Sequence, residues 1–360
     1  MTERVYLDWN ATAPLSAEAR DAMIAAMDVV GNPASVHGEG RAVKALVEKA
    51  REDIAAGLGA KARDVVFTAG ATEAASVLKT GTREHAVCVE TTSHDALWSH
   101  FDLTGADSAP AEPGHVLAMG LANSETGVIT PPPAKRDGQW PYGALGCDSL
   151  LLDVTQAVGR IPFGFEWSGA DLAVLSAHKL GGPKGVGALL VREGLDISPL
   201  TTGGGQEMGR RSGTENVLGI VGFAAALKAA LRDLEQGIWG EVEKLRNILE
   251  SGLASCENET IFVGKDLTRL PNTSCLATPG WKGETQVMQM DLAGFAVSSG
   301  SACSSGKVRE SRVLRSMGFD EDTARSAIRV SLGPTTTEDD VMRFVEAWSL
   351  ARARHKARAA

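Results

Sequence analysis

The sequence predicts an α/β fold, with a large domain on a mainly parallel sheet followed by a smaller α+β domain. Three observations carry that expectation. Short apolar runs at residues 65–67, 86–89, 116–119, 150–152 and 172–175 lack polar alternation, the mark of strands covered on both faces. A stripe of Val43, Leu46, Val47, Ala50, Ile54 and Leu58 precedes them, and its three- and four-residue spacing is that of a helix packed on such a sheet. After Gly237 the texture changes, and strand-like and helix-like stretches alternate on a smaller scale.

The elements follow in order. Residues 35–58 read as one amphipathic helix, and the five apolar runs as strands bounded by turn residues. Residues 187–191, Gly-Ala-Leu-Leu-Val, add a further strand, and residues 131–138, opening on three prolines, form a loop. A long helix is expected over residues 215–234. The C-terminal part reads as a helix at 241–253, strands at 260–263 and 273–277, a helix at 284–292 and a strand at 295–298. Helices then flank a strand at 327–332, and a helix over 337–351 closes the pattern. The 360 residues, at about 150 per domain, suggest two domains. The expected division is a segment 1–15 joining the small domain, a large domain 16–237 and a small domain 238–360.

Composition excludes several functions. With 36 basic against 45 acidic residues the net charge is −9, so the charge needed to neutralise nucleic-acid phosphates or anionic membrane is missing. A basic cluster at Arg352, Arg354, Lys356 and Arg358 reads as a solvated helix end. No apolar run approaches a membrane span, and the first residues lack a secretory pattern. Five cysteines, at 88, 147, 256, 275 and 303, have no close pair. This argues against a disulfide framework and a structural zinc site, and for a reducing, cytoplasmic setting.

Five constellations are candidates for chemistry. Lys179 follows an apolar strand and precedes two glycines. A lysine depressed in pKa by burial suits Schiff-base formation with a carbonyl, whereas the competing reading is an ordinary turn lysine. Thr68-Ala69-Gly70-Ala71-Thr72-Glu73 joins a strand to a helix start, where unpaired N–H groups bind phosphate; the alternative is a plain capped turn. Asp153 ends a covered strand and needs a cationic or donor partner, either a pyridinium nitrogen or a local cap. Cys303, amid serines and glycines, reads as an accessible thiol able to swing, against an incidental loop thiol. Arg329, among apolar residues at strand spacing, needs an anion: a substrate carboxylate, or a structural Asp or Glu.

Taken together these motifs resemble the class V aminotransferase group of pyridoxal-phosphate (PLP) enzymes, and within it the cysteine desulfurases of the nitrogen-fixation and iron–sulfur-cluster type. The resemblance runs from Tyr6-Leu7-Asp8-Trp9-Asn10-Ala11-Thr12 through residues 31–37, 203–207 and 211–216 to Ser331-Leu332-Gly333, and Ser298-Ser299-Gly300-Ser301-Ala302-Cys303 is its most specific piece. It implies the type I PLP-dependent transferase fold with a seven-stranded sheet in the large domain. It implies that Lys179 holds PLP and later moves the substrate Cα proton, that Asp153 pairs with the pyridine nitrogen and that Gln156 bonds the ring oxygen. Ala71, Thr72, Ser176 and His178 would hold the phosphate, with Thr214 supplied by the neighbouring subunit of a homodimer. His94 would stack on the ring and transfer protons. Arg329, helped by Asn10 and Asn123, would clamp the substrate carboxylate. Asn123 would also touch the cofactor. L-cysteine would give L-alanine and a persulfide on Cys303, passed to an acceptor for iron–sulfur-cluster, thio-cofactor or tRNA assembly. No resident metal is implied, although Cys303 could bind one transiently.

The chain departs from the family in three places. The interval from His94 to Asn123 lacks a customary strand and helix, residues 131–149 replace a customary helix, and Met208 stands where an arginine is usual. Two rival functions remain at this point: a PLP-dependent lyase or aminotransferase of another amino acid, and a non-catalytic partner protein derived from the fold.

Overall fold

The computed structural model describes residues 4–80, 86–101, 115–256, 259–299 and 310–359. The chain divides into two units. One contains residues 14–121 and 130–232, the other 1–13, 122–129 and 233–360. The short stretch 122–129, expected within the large domain, groups instead with the smaller unit.

In the larger unit six strands form one sheet, in the spatial order Val65–Thr68, Gly187–Val191, Leu172–Ser176, Ser149–Asp153, Val116–Gly120 and Val87–Val89. The last four are mutually parallel, while Gly187–Val191 runs antiparallel to both of its neighbours. All six expected strands form, and their apolar runs are explained by the core. Leu150 and Leu152 enter one buried cluster, with Ile54 of helix Gly38–Gly57, its C-cap Leu58, and Phe223 and Leu227 of helix Val217–Glu235. Leu151 points the other way, into a second cluster with Ala74, Ala75 and Leu97. Helices on both faces leave no solvent side, so polar alternation has no place in these strands.

The resemblance implied seven strands, and six are found in this sheet among the described residues. The short interval from His94 to Asn123 carries only helix Asp95–Trp98 and strand Val116–Gly120 there. The second departure folds as a hairpin, Trp140–Tyr142 with Leu145–Cys147. Its two-residue turn has Gly143 at φ 59°, a conformation that favours glycine.

In the smaller unit four strands form an antiparallel sheet in the order Ile261–Phe262, Thr273–Ala277, Ala327–Ser331, Ser298–Ser299. The N-terminal strand Val5–Tyr6 pairs in parallel with Phe295–Ala296. Ile328 and Val330 enter a core with Trp281, Phe344 and Trp348. The intervening Arg329 therefore faces the other side of the strand, by the two-residue period of a strand.

A polar knot crosses that core. Gln286, fully buried, donates from Nε2 to the carbonyls of Trp281 and Ser326 at 2.8 and 2.7 Å, and its Oε1 accepts from Trp348 Nε1 at 3.1 Å. Trp348→Phe deletes that donor and strands the buried oxygen. Urea unfolding is expected to show a loss of about 2 kcal/mol, more than the smaller ring alone would remove.

Candidate active site

In the larger unit most of the expected cofactor residues lie at or just beyond the ends of four strands, Val65–Thr68, Val87–Val89, Ser149–Asp153 and Leu172–Ser176, while Asn123 belongs to the smaller unit. Lys179 ends a short 3-10 turn, Ala177–Lys179, that directly follows strand Leu172–Ser176. Ser176 lies at the end of that strand, and its Oγ accepts from the Ala71 N–H at 2.7 Å. The two segments approach closely because Gly187 lies between them. A Cβ there would sit 2.4 Å from the Leu175 carbonyl and 2.7 Å from the Gly70 Cα. Gly70 itself turns with φ 155°, which favours glycine. The result is a serine hydroxyl held against the first N–H of helix Ala71–Ala75, with His178 two residues on and Thr72 exposed beside it. A set rich in donors at a helix start suits a phosphate.

Asp153 ends strand Ser149–Asp153, where its Oδ1 accepts from the Thr155 N–H at 2.9 Å. Both competing roles are thus compatible: one oxygen makes a local turn, and the second is left for a ring nitrogen. Thr155 Oγ1 is buried without a partner among the described residues, as expected beside a site meant to receive a polar group. Gln156 is buried, and its Oε1 accepts from Arg160. His94 caps helix Asp95–Trp98, with Nδ1 accepting from the Ala96 N–H at 3.1 Å. That contact requires a lone pair on Nδ1, so a neutral ring carries its proton on Nε2. Gly70, Gly187, the donor cluster and the orphaned threonine together fit a phosphorylated pyridine cofactor.

Burial, and then the charges of Lys179 and Lys184, push His178 down to about 4, against 6.5 for an ordinary imidazole. Between those pH values the unfolded chain takes up a proton that the folded chain refuses. Stability is therefore present above about 6.5 and falls as the pH is lowered towards 4. Cofactor-free protein is expected to lose urea resistance across that window, with His178→Gln flattening the dependence.

Two ion pairs that sequence reasoning missed fix the loop leading to Thr214. Glu73 accepts from the Ala69 N–H at 2.6 Å and from Arg211 Nε at 2.8 Å. Glu207 is held by Arg51 through Nη1–Oε2 at 2.7 Å and Nη2–Oε1 at 2.8 Å, and also accepts from the Phe67 N–H at 2.8 Å. Arg51 Nη1 donates further to the Val65 carbonyl at 2.8 Å. Glu207 and Met208 both have left-handed backbone, at φ 51° and 57°. Such strain costs on the order of 1–3 kcal/mol per residue, and the forked ion pair holds it in place. Thr214, at the far side of the loop, is exposed.

The smaller unit holds the residues expected to clamp a substrate carboxylate. Arg329, 5% exposed, donates from Nη1 to the Ser124 carbonyl at 2.9 Å and from Nη2 to Asp8 Oδ1 at 2.8 Å. Asp8 Oδ2 accepts from Ser298 Oγ at 2.7 Å. The structural partner weighed against a substrate is thus present. Even so, the Arg329 Nε is buried without an acceptor among the described residues.

Asn10 and Asn123 sit in the same unit, Asn10 fully buried and Asn123 half-buried. Asn10 donates to the Ser124 carbonyl and Thr273 Oγ1 and accepts from Asn272. Asn123 Oδ1 accepts from the N–H groups of Glu125 and Thr126, both at 2.9 Å. Both asparagines therefore shape the backbone that Arg329 grips. Cys303 lies outside the described residues. Of the other cysteines 88, 147 and 275 are buried, as apolar surroundings suggested, and Cys256 is exposed.

The chain matches the family model Aminotransferase class-V over residues 5–94 and 99–344. It is 37% identical to a cysteine desulfurase of Cereibacter sphaeroides, over 96% of this chain and 94% of that protein. To cysteine desulfurase IscS of Dictyoglomus turgidum it is 33% identical, over 95% and 92%. Among solved structures, a NifS-like protein superimposes with a TM-score of 0.85 at 32% identity, covering 97% of this chain and 99% of that one. A NifS-like protein from Rickettsia africae does so with a TM-score of 0.84 at 29% identity, covering 98% and 100%.

Proposed function

The chain belongs to the cysteine desulfurases of the class-V aminotransferase family, and from that premise we propose that it takes sulfur from L-cysteine, leaving L-alanine and a persulfide on Cys303. The observation that carries the reading is the donor cluster around Ser176 and Ala71, one residue turn from Lys179. Bound PLP supplies an electron sink for charge developing at the substrate carbon. Ala71, Thr72, Ser176 and His178 would hold its phosphate, Asp153 would pair with its ring nitrogen, and His94, with its proton on Nε2, would serve the ring.

Arg329 receives the substrate carboxylate at its unfilled Nε edge, with Asp8 and Ser124 keeping the guanidinium in one plane. Lys179 Nζ takes the Cα proton. The Cys303 thiolate then attacks the substrate sulfur: an S–S bond forms, the C–S bond breaks, the electron pair left on Cβ is protonated, and return of a proton to Cα completes alanine. The terminal sulfur passes to an acceptor protein for iron–sulfur-cluster, thio-cofactor or tRNA assembly. Thr214 completes the phosphate site of a second copy in a homodimer, consistent with its exposure on an anchored loop. A cytoplasmic setting agrees with buried thiols left unpaired. Among the described residues no helix is long and apolar enough to cross a membrane.

Incubation of the PLP-loaded protein with L-cysteine and a reductant should release alanine and sulfide in equal amounts. Pyruvate in place of alanine, or no product, overturns the reading. Arg329→Lys keeps a charge but loses the planar fork. It is expected to raise KM for L-cysteine at least about tenfold, with a smaller change in kcat, as steady-state kinetics would show.

A further inference from the structure

Arg160 is 3% exposed and stands four residues beyond Gln156. Its Nη1 donates to Gln156 Oε1, and to the Gln156 carbonyl at 3.4 Å; its Nη2 donates to the Lys179 carbonyl at 3.0 Å. A guanidinium has donors and no acceptor. Whichever end of the Gln156 amide faces Arg160 must therefore be the oxygen, and the NH2 end faces away from it. One buried fork thus fixes both the polarity of the glutamine amide and the backbone of the lysine.

We propose that Arg160 is a positioning residue for the cofactor site: it compels Gln156 to present N–H rather than oxygen to the phenolic oxygen of PLP, and it anchors Lys179 at the same time. This rests on the reading that Gln156 faces that oxygen. The chemical consequence is specific. An N–H aimed at the phenolic oxygen stabilises its anionic form and makes it a poorer acceptor for the proton it shares with Lys179 Nζ. Without Arg160 the constraint that holds the amide oxygen on that side is lost, the donor is presented for less of the time, and Lys179 Nζ in the loaded protein holds its proton to higher pH.

The test is a pH titration of the visible absorption of PLP-loaded protein, with equilibrium binding of PLP to the cofactor-free protein as a second readout and urea midpoints as a control for folding. Arg160→Met is expected to move the titration midpoint upward and to weaken PLP binding roughly tenfold. Arg160→Lys offers a point charge where two carbonyl groups need a fork, so it should move the midpoint in the same direction by less. Should Arg160→Met fail to fold, the lysine variant decides. Gln156→Leu removes the donor directly and must move the midpoint at least as far. Gln156→Glu keeps the bond to Arg160 but offers oxygen to the ring, and should move it furthest.

A midpoint that shifts in Gln156→Leu but stays at the wild-type value in folded Arg160 variants overturns the role given to Arg160 and leaves the glutamine reading intact. A midpoint unmoved by Gln156→Leu overturns the glutamine reading, and this inference with it.

Discussion

Replacing Lys179 by alanine is expected to lower turnover of L-cysteine by about a thousandfold or more, since covalent capture and general-base transfer, the latter alone worth about 10²–10⁴, depend on the same amine. The fold should survive. Lys179 is only half-buried, and its backbone carbonyl, the group that Arg160 grips at 3.0 Å, is retained by alanine. Borohydride treatment followed by mass spectrometry separates loss of capture from mere loss of rate. The wild-type protein should carry a reduced PLP adduct on the peptide containing Lys179, and the alanine variant none. An adduct on any other lysine would displace Lys179 from its role. Added short alkylamines should restore part of the proton transfer but leave the protein without the covalent link, which distinguishes the two duties.

The second large effect concerns Cys303. Cys303→Ser substitutes a hydroxyl that is not ionised near neutral pH and is a far weaker nucleophile towards sulfur than a thiolate. Alanine and sulfide formation should fall by about a hundredfold or more. PLP binding and the spectral response to L-cysteine should persist, because the residues proposed to hold the carboxylate and the phosphate are others. Mass spectrometry of the wild-type protein after one turnover without reductant should find one additional sulfur atom on the Cys303 peptide. Retention of most of the activity by the serine variant would instead favour a PLP enzyme with another amino-acid chemistry.

The large sheet was legible because each apolar run is buried from both sides: Leu150 and Leu152 fill one cluster, Leu151 the other, and composition reports that directly. The tight strand-to-helix turn at residues 68–73 was legible too, since Gly70 is a glycine for steric reasons that leave a trace in sequence. The hairpin at residues 140–147 was not, because Pro141 within a three-residue strand argues against a strand; Gly143 followed by one residue before Leu145 was the signal for a tight turn.

The ion pairs Arg51–Glu207 and Arg211–Glu73 join residues 156 and 138 positions apart, a separation that leaves no local pattern. The partners of Asn10 and Asn123 were likewise hidden, since residue type shows that an amide is present and not which groups satisfy it. Arg160 was passed over for the same reason: four residues from Gln156 it reads as ordinary helical spacing, and its burial is a tertiary fact.

The Arg51–Glu207 pair has a second consequence, for how copies of the chain behave in a crowded solution. Strand Val65–Thr68 is the border of its sheet, and a border strand offers unpaired N–H and C=O groups on which foreign strands can grow. Here the Phe67 N–H ends on Glu207 and the Val65 carbonyl on Arg51, so two side chains occupy the places a seventh neighbour would take. An Arg51→Met chain would expose that rim, and light scattering during refolding would register the aggregates that the native pair keeps from nucleating.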